Sequence, residues 1–448
     1  MQPDLMLPPA PIAPQVYQTR RARLMHKLPS HSAALIPGAS LVTRSRDSEY
    51  PFRQDSDFYY LTGITEPDAL LVLLPDGSDQ GGQCVVFCQD RDPTMEAWTG
   101  RRLGAEGVMR EHAVEQAFEN AEREEQLKTL LSGCEMLYLP LANPEAQSLA
   151  EDAYQQAQAA QRRGHPVLQG WLDIAPLIHD MRLIKGDEEL TLLRHAAAIS
   201  ARAHCRAMRA ATPGLHEYHL QAELEYEFVW QGASGPAYST IVGSGANACV
   251  LHYIENAAPL KAGELVLIDA GAEYALYAGD ITRTFPVSGV FSAPQRALYS
   301  LVLEAQKNAV AAVCPGATLN EIHQGVVRDL TQGLIALGLL EGELDECIKN
   351  ESYRRFYLHS TSHWLGLDVH DVGAYRLDPE TSRPLQPGMV ITVEPGLYIP
   401  GDEDIPADYR SIGIRIEDDV IVTAEGHEVI TSDVPKEIAD IEALMANK

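Results

Sequence analysis

Several things are scarce in this sequence, and each scarcity removes a class of function. There are 35 lysines and arginines against 63 aspartates and glutamates, a formal net charge of −28. A protein that tracks nucleic-acid phosphates carries a basic face, so that class is excluded and the acidic surplus reads as solubility. No apolar run approaches the roughly 18 residues that span a bilayer, so no membrane association is expected. The opening MQPDLMLPPAPIAP has no basic segment ahead of an apolar one, and a secretory signal peptide is not expected there. The seven cysteines, at 84, 88, 134, 205, 249, 314 and 347, never form Cys-x-x-Cys. Cys84 and Cys88 lie in CVVFC and read as strand core. An odd, scattered set suits a reducing compartment, so the expected location is cytoplasmic.

Familiar catalytic motifs are also missing. His359 and His363 stand four apart, but Ser360, Thr361 and Ser362 lie between them, so the general-base glutamate of a helical HExxH pair is absent. Ser234 in QGASGPA lacks the second glycine of a nucleophile elbow. Gly243–Ala248 fits the dinucleotide pattern GxGxxA, yet the following CVLHYIENAAP does not read as a helix. No helix N-terminus waits there for a pyrophosphate.

A chain of 448 residues exceeds one hydrophobic core, and two domains are expected, 1–183 and 184–448. The first reads as a mixed α/β domain. Helices are predicted over Val16–Leu28, over a long amphipathic stretch near Val108–Leu131, and near 144–162. DFYYLTG, ALLVLL, CVVFCQ and MLYLP read as strands. In the second domain Asp187 is the predicted N-cap of a helix running to the Thr212-Pro213-Gly214 stop. A helix over His216–Gln231 follows, then the strands LVLIDAG and DITRTFPV, separated by a loop from Gly271 to Gly279. Helices near 294–313 and 318–338 precede a second strand pair, MVITVEPG and IGIRIEDDVIV. The order repeats, which predicts an internal duplication.

What is present in quantity is a set of acids at the ends of short apolar runs. They are Asp269, Asp280, Glu394 and Glu417, joined by His363 in HSTSHWLG. Converging within about 5 Å, each pair of acids repels by roughly 3 kcal/mol at an effective dielectric near 20. An empty site would take up protons, whereas two divalent cations would neutralise it. In Ile412–Glu417 the isoleucines share one face and Gly413, Arg415 and Glu417 the other, so Glu394 and Glu417 can leave one sheet face together. Arg415 reads either as a support for Glu417 or as an ordinary cross-strand salt pair. The oxygen-rich ligand set with one imidazole favours manganese, cobalt or zinc. Paired metals acidify a shared water, a nucleophile for carbonyl hydrolysis. His252 in VLHYIEN and His370 in LDVHDVG sit in glycine-flanked loops, suited to donating to an oxyanion or moving protons.

LVLIDAGAEY, YAGDITRTFP, HSTSHWLGLDVHD, PGMVITVEPGLYI and IRIEDDV together resemble the pita-bread metallopeptidases, and among them the aminopeptidase P (Xaa-Pro aminopeptidase) group. FRQDSDFYYLTGITEPDALL and DRDPTMEAWTGRRLG resemble that group's amino-terminal domain. The resemblance covers nearly the whole chain beyond the first fifteen residues. It implies an α/β N-terminal domain and an α+β pita-bread C-terminal domain with internal pseudo-two-fold duplication. It implies that Asp280 and Glu417 bridge two metal ions, with His363 and Glu394 completing one site and Asp269 the other, manganese being the expected ion. It further implies that His252 and His370 contact substrate and oxyanion, that His359 lies near the proline pocket, and that Tyr398 and Arg415 sit close to the centre. Trp98 resembles a residue reaching the active site from the amino-terminal domain, of the same or a neighbouring subunit. The implied activity removes an N-terminal residue ahead of proline, in a dimer or tetramer. The segment 375–384 departs from the group's pattern, and a substrate-contacting arginine cannot be placed there between Arg376 and Arg383. A prolidase would carry the same ligands, creatinase-like amidinohydrolases share the fold without metals, and a degenerate peptide-binding module would have lost a ligand.

Overall fold

The computed structural model describes residues 5–75, 82–161, 164 and 166–447. The chain divides into two compact units, Pro11–Arg182, and Leu183–Lys448 together with Met1–Ala10. All seven cysteines are free thiols. Among the described residues no helix is long and apolar enough to cross a membrane.

The first unit is built on a six-stranded mixed sheet. Its order is Gln116–Glu119, Gln83–Cys88, Leu70–Leu74, Ser32–Pro37, Met136–Leu139 and Gly170–Asp173. The central strands are buried along their whole length, which explains their unbroken apolar runs. Three expectations need correction here. DFYYLTG is a helix, Ser56–Thr62, because Asp55 caps it by accepting the Phe58 N–H at 2.9 Å and Gly63 closes it at φ 68°. Its aromatic residues suggested a strand, yet Phe58, Tyr59, Tyr60 and Leu61 are buried on every side of the helix. The long helix near Val108–Leu131 is instead a helix, Gly104–Glu111, an edge strand, Gln116–Glu119, and a second helix, Arg123–Leu130. Ala113 at φ 48° turns the chain between the first two. The strand Ser32–Pro37, absent from the sequence reading, lies at the centre of the sheet.

The second unit repeats one theme twice. Helices Asp187–Ala210 and Glu217–Trp230 precede an antiparallel sheet of Ile241–Ser244, Leu265–Asp269 and Thr282–Pro286. Helices Ala293–Ala311 and Leu319–Ala336 precede Val390–Val393, Asp418–Val422 and His427–Val429, also antiparallel. Capping boxes start the second helix pair: Ser292 with Gln295, and Thr318 with Glu321. Gly186, not Asp187, is the N-cap of Asp187–Ala210, since the Glu189 carboxylate accepts the Gly186 N–H at 3.0 Å. Asp187 sits in the first turn, where the helix dipole favours it.

The segment between Gly271 and Gly279 is more ordered than a loop. Ala272–Tyr274 and Tyr277–Ala278 form a hairpin turned by Ala275 and Leu276, both at positive φ. The last strand pair does not run unbroken either. It splits into Val390–Val393 with Asp418–Val422, and Gly396–Ile399 with Ile412–Arg415. Pro395 has no N–H for the ladder, and Glu394 and Glu417 fall at the break. Ile412, Ile414 and Ile416 are buried in the core of the unit as their alternation required.

Candidate metal centre

Each acidic side chain is delivered by an element edge. Asp269 ends the strand Leu265–Asp269 and pairs in register with Thr282. Asp280 arrives two residues earlier, where the hairpin from Gly271 to Gly279 returns. A Cβ on Gly271 would lie 1.6 Å from the Gly279 carbonyl oxygen, so only glycine lets the hairpin's two ends meet beside the ligands. The Asp280 N–H donates to Asp419 at 3.0 Å. Glu394 is fixed through its N–H, which donates to the Thr361 carbonyl at 2.8 Å. Glu417 accepts from the Thr282 hydroxyl at 2.6 Å.

His363 is oriented by its neighbour. Its Nδ1–H donates to the Trp364 carbonyl at 2.9 Å, which turns Nε2 toward the acids. Nε2 lies 3.4 Å from Asp280 and 3.6 Å from Glu394. Ligand atoms of Asp280, His363 and Glu417 all lie within 4.8 Å of one another. His359 and His363 do not share a helix face, since residues 359–363 are irregular.

The electrostatics describe a cluster that cannot hold its charges unaided. Burial pushes the Glu394 carboxyl up to about 8, against the pull of His363 and Arg415 and with the push of Asp280 and Asp269. Burial likewise raises Glu417, reinforced by the charges of Asp280, Glu394 and Asp269. Asp280 is raised by burial, with the His363 hydrogen bond opposing. Burial would lower His363, but the hydrogen bond to Asp280 and the charges of Glu394 and Asp280 bring it to about 9. Four convergent carboxylates and an imidazole whose Nε2 faces them make an oxygen-rich donor set that fits divalent metal ions.

The surrounding residues separate into those foreseen and those missed. Arg415 reaches Asp269 directly, Nη2 to Oδ2 at 2.5 Å, and meets Glu417 only through Thr282, its Nε donating to Thr282 Oγ1 at 3.1 Å. Its Nη1 donates to the Tyr398 hydroxyl at 2.8 Å, and that hydroxyl lies 2.8 Å from His359 Nε2. His359 Nδ1–H donates to the Ser360 carbonyl, so Nε2 accepts from Tyr398 and the ring stays neutral. Burial and then Arg415 lower its pKa to about 4. His370 stands edge-on to His363 with ring centres 4.4 Å apart, and burial followed by His363 lowers it.

These groups line a cavity of about 890 Å³ that also contains His252. Tyr398 does not line it and acts behind His359. Trp98 is 83 % exposed on the helix Pro93–Thr99 of the first unit. Arg376 lines the cavity, whereas Arg383 donates to the Ala374 carbonyl. Tyr238 and His323 are among the cavity residues that the sequence did not mark. The Tyr238 hydroxyl lies 2.6 Å from Asp269 and 2.5 Å from Asp280, and His323 lines the wall with Nδ1 2.8 Å from Thr361. Neither sits in a spacing pattern that would have flagged it.

Carboxylates and an imidazole gathered from both halves of a duplicated unit make the candidate metal site of a metallohydrolase. Residues 191–424 match the family model described as metallopeptidase family M24, and residues 17–138 match the aminopeptidase P N-terminal domain. The chain belongs to the M24 metallopeptidases and has their pita-bread fold. It is 47 % identical to the Xaa-Pro aminopeptidase of Escherichia coli over 97 % of this chain and 98 % of that protein. A zinc-substituted E. coli aminopeptidase P in complex with product superposes with a TM-score of 0.95 at 46 % identity, covering 98 % of this chain and 99 % of the other. The Pseudomonas aeruginosa aminopeptidase PepP gives 0.95 at 48 % identity, covering 97 % and 98 %.

Proposed function

We propose that the chain is an Xaa-Pro aminopeptidase, with an amino-terminal domain over 1–183 and a catalytic domain over 184–448. The carrying observation is the intact set Asp269, Asp280, His363, Glu394 and Glu417 lining one cavity. An inactive binding module has no use for so costly a cluster of buried acids.

Asp280 and Glu417 would bridge two divalent ions, with His363 and Glu394 completing one site and Asp269 the other. When bound, the ions polarise a carbonyl and acidify water enough to attack it. Manganese is our choice of ion. The protein's own groups do the rest. Glu394 accepts a proton from the attacking water and passes it to the leaving proline nitrogen. His252 and His370 stabilise the oxyanion. The neutral His359 ring, held by Tyr398 and Arg415, offers a flat wall to the proline ring. Proline selectivity has a physical basis: the Xaa-Pro bond is a tertiary amide with no N–H, so a site shaped for the ring loses nothing that a general peptidase would need. Trp98 would contribute from a second copy in a homo-oligomer, and free thiols suit the cytoplasm.

Peptides of the form X-Pro-Y, X-Pro and X-Ala-Y, assayed with manganese and then with chelator, test this. Cleavage of X-Pro-Y that chelator abolishes is expected. Cleavage confined to X-Pro would make it a prolidase.

A further inference from the structure

The glycine-rich turn 243–248, which resembled a phosphate cradle in sequence, is occupied by a carboxylate of the chain itself. Glu217, in the first turn of the helix Glu217–Trp230, is fully buried, 0 % exposed. Its Oε1 accepts from Ser244 N at 2.7 Å, Ser244 Oγ at 2.8 Å and Asn247 Nδ2 at 3.1 Å. Its Oε2 accepts from the Tyr253 hydroxyl at 2.9 Å and from Ala258 N at 2.8 Å. The Glu217 N–H returns a bond to the Ala258 carbonyl at 3.0 Å. Five donors on one acceptor-only group leave no room for a ligand anion.

Those donors flank His252 on both sides. Segment 250–258 has no helix or strand of its own, and His252 is exposed within it. Among the described residues no hydrogen bond holds the His252 ring, so its position follows its backbone. Asn256 adds a second anchor. At φ 48° and 1 % exposed, it accepts from Val242 N at 2.9 Å and donates to the Thr240 carbonyl at 2.8 Å. The turn also packs toward the metal-bearing strands, since a Cβ on Gly413 would meet the Ala248 oxygen at 2.1 Å.

We infer that Glu217 is a positioning residue for His252: its carboxylate ties the glycine-rich turn to segment 253–258 and so sets where the imidazole stands over the metal centre. The inference rests on the role given to His252 above. Glutamine cannot replace Glu217. Whichever way its amide is turned, the NH2 faces a backbone N–H, of Ser244 or of Ala258, that cannot rotate away.

The test uses the manganese-loaded enzyme, an alanyl-prolyl-alanine substrate, and the variants Glu217→Gln, His252→Ala and the double variant. Glu217→Gln should lower kcat/KM by about 100-fold through kcat, as expected for a displaced contact, with metal content unchanged. In the His252→Ala background it should cost nothing further. Hydrogen exchange should quicken in 250–258 and not in Leu265–Asp269. A full additional loss in the double variant, or unchanged exchange in 250–258, overturns the inference. If Glu217→Gln does not fold, Tyr253→Phe removes one donor and should give a smaller loss that likewise vanishes without His252. If the wild type does not cleave the peptide, the proposed function fails, and exchange in 250–258 still decides the role of Glu217.

Discussion

Glu394 and Asp280 illustrate how one side-chain type acquires different duties from its surroundings. Glu394 is tethered through its own N–H to Thr361 and keeps its carboxyl 3.6 Å from His363, where the proposed role has it exchange a proton. Glu394→Gln should lower kcat by about 10²–10⁴-fold with KM little changed, because proton transfer is lost while the peptide still binds. Metal analysis alongside steady-state kinetics checks this; full turnover with both ions bound rules it out. Asp280 lies within reach of both His363 and Glu417. Asp280→Ala should therefore abolish activity and reduce bound metal together, and normal kcat with two ions bound removes its bridging role. The five candidate ligands line one cavity, and Asp269, Glu394 and Glu417 were legible in the sequence because each ends or closely follows a short apolar strand, a place that fixes direction. Tyr238 and the true partner of Arg415 were not. A lone tyrosine in a loop carries no periodicity, and the Arg415–Asp269 pair joins residues from opposite halves of the duplication.

Among the elements, the hairpin between Asp269 and Asp280 shows how much the ligands depend on backbone that does no chemistry. Gly271 and Gly279 meet so closely that a methyl group at 271 has no space, and the obstacle is main chain, not a side chain that can swing aside. Gly271→Ala should push the Asp280 strand away from Asp269 and cost metal before it costs the fold. Elemental analysis should show sub-stoichiometric manganese in a protein whose far-ultraviolet circular dichroism is near native; full occupancy contradicts the crowding. Sequence marked both glycines as boundaries but gave no hairpin, since Ala275 and Leu276 adopt positive φ without the glycine or asparagine that usually signals it. The same limit explains DFYYLTG. Composition favoured a strand, and only the Asp55 cap and Gly63 stop, weighed together, mark the helix. Long helices in the second unit were legible because their apolar faces repeat over several turns.

For the whole molecule, the metal centre is a store of repulsion that cations discharge, and its sign with pH follows from the shifted groups. Glu394 rises from an ordinary 4.5 to about 8, and Asp280 and Glu417 rise as well. Between its unfolded and folded values each acid binds more protons in the folded chain than in the unfolded one. Stability of the metal-free protein therefore falls as pH climbs from about 4.5 toward 8. His363 moves from 6.5 to about 9, so its contribution is complete below 6.5 and disappears as pH passes 9. Both kinds of group act in the same direction across neutral pH. Cations must displace these protons, so metal binding releases protons and tightens as pH rises. The melting temperature of chelator-treated protein should fall between about pH 6 and pH 8.5, and its gap to the manganese-loaded protein should widen. A gap that stays constant or narrows over that interval would mean the acids are not sharing protons in the empty site, and that the cluster is held open by something other than its cations.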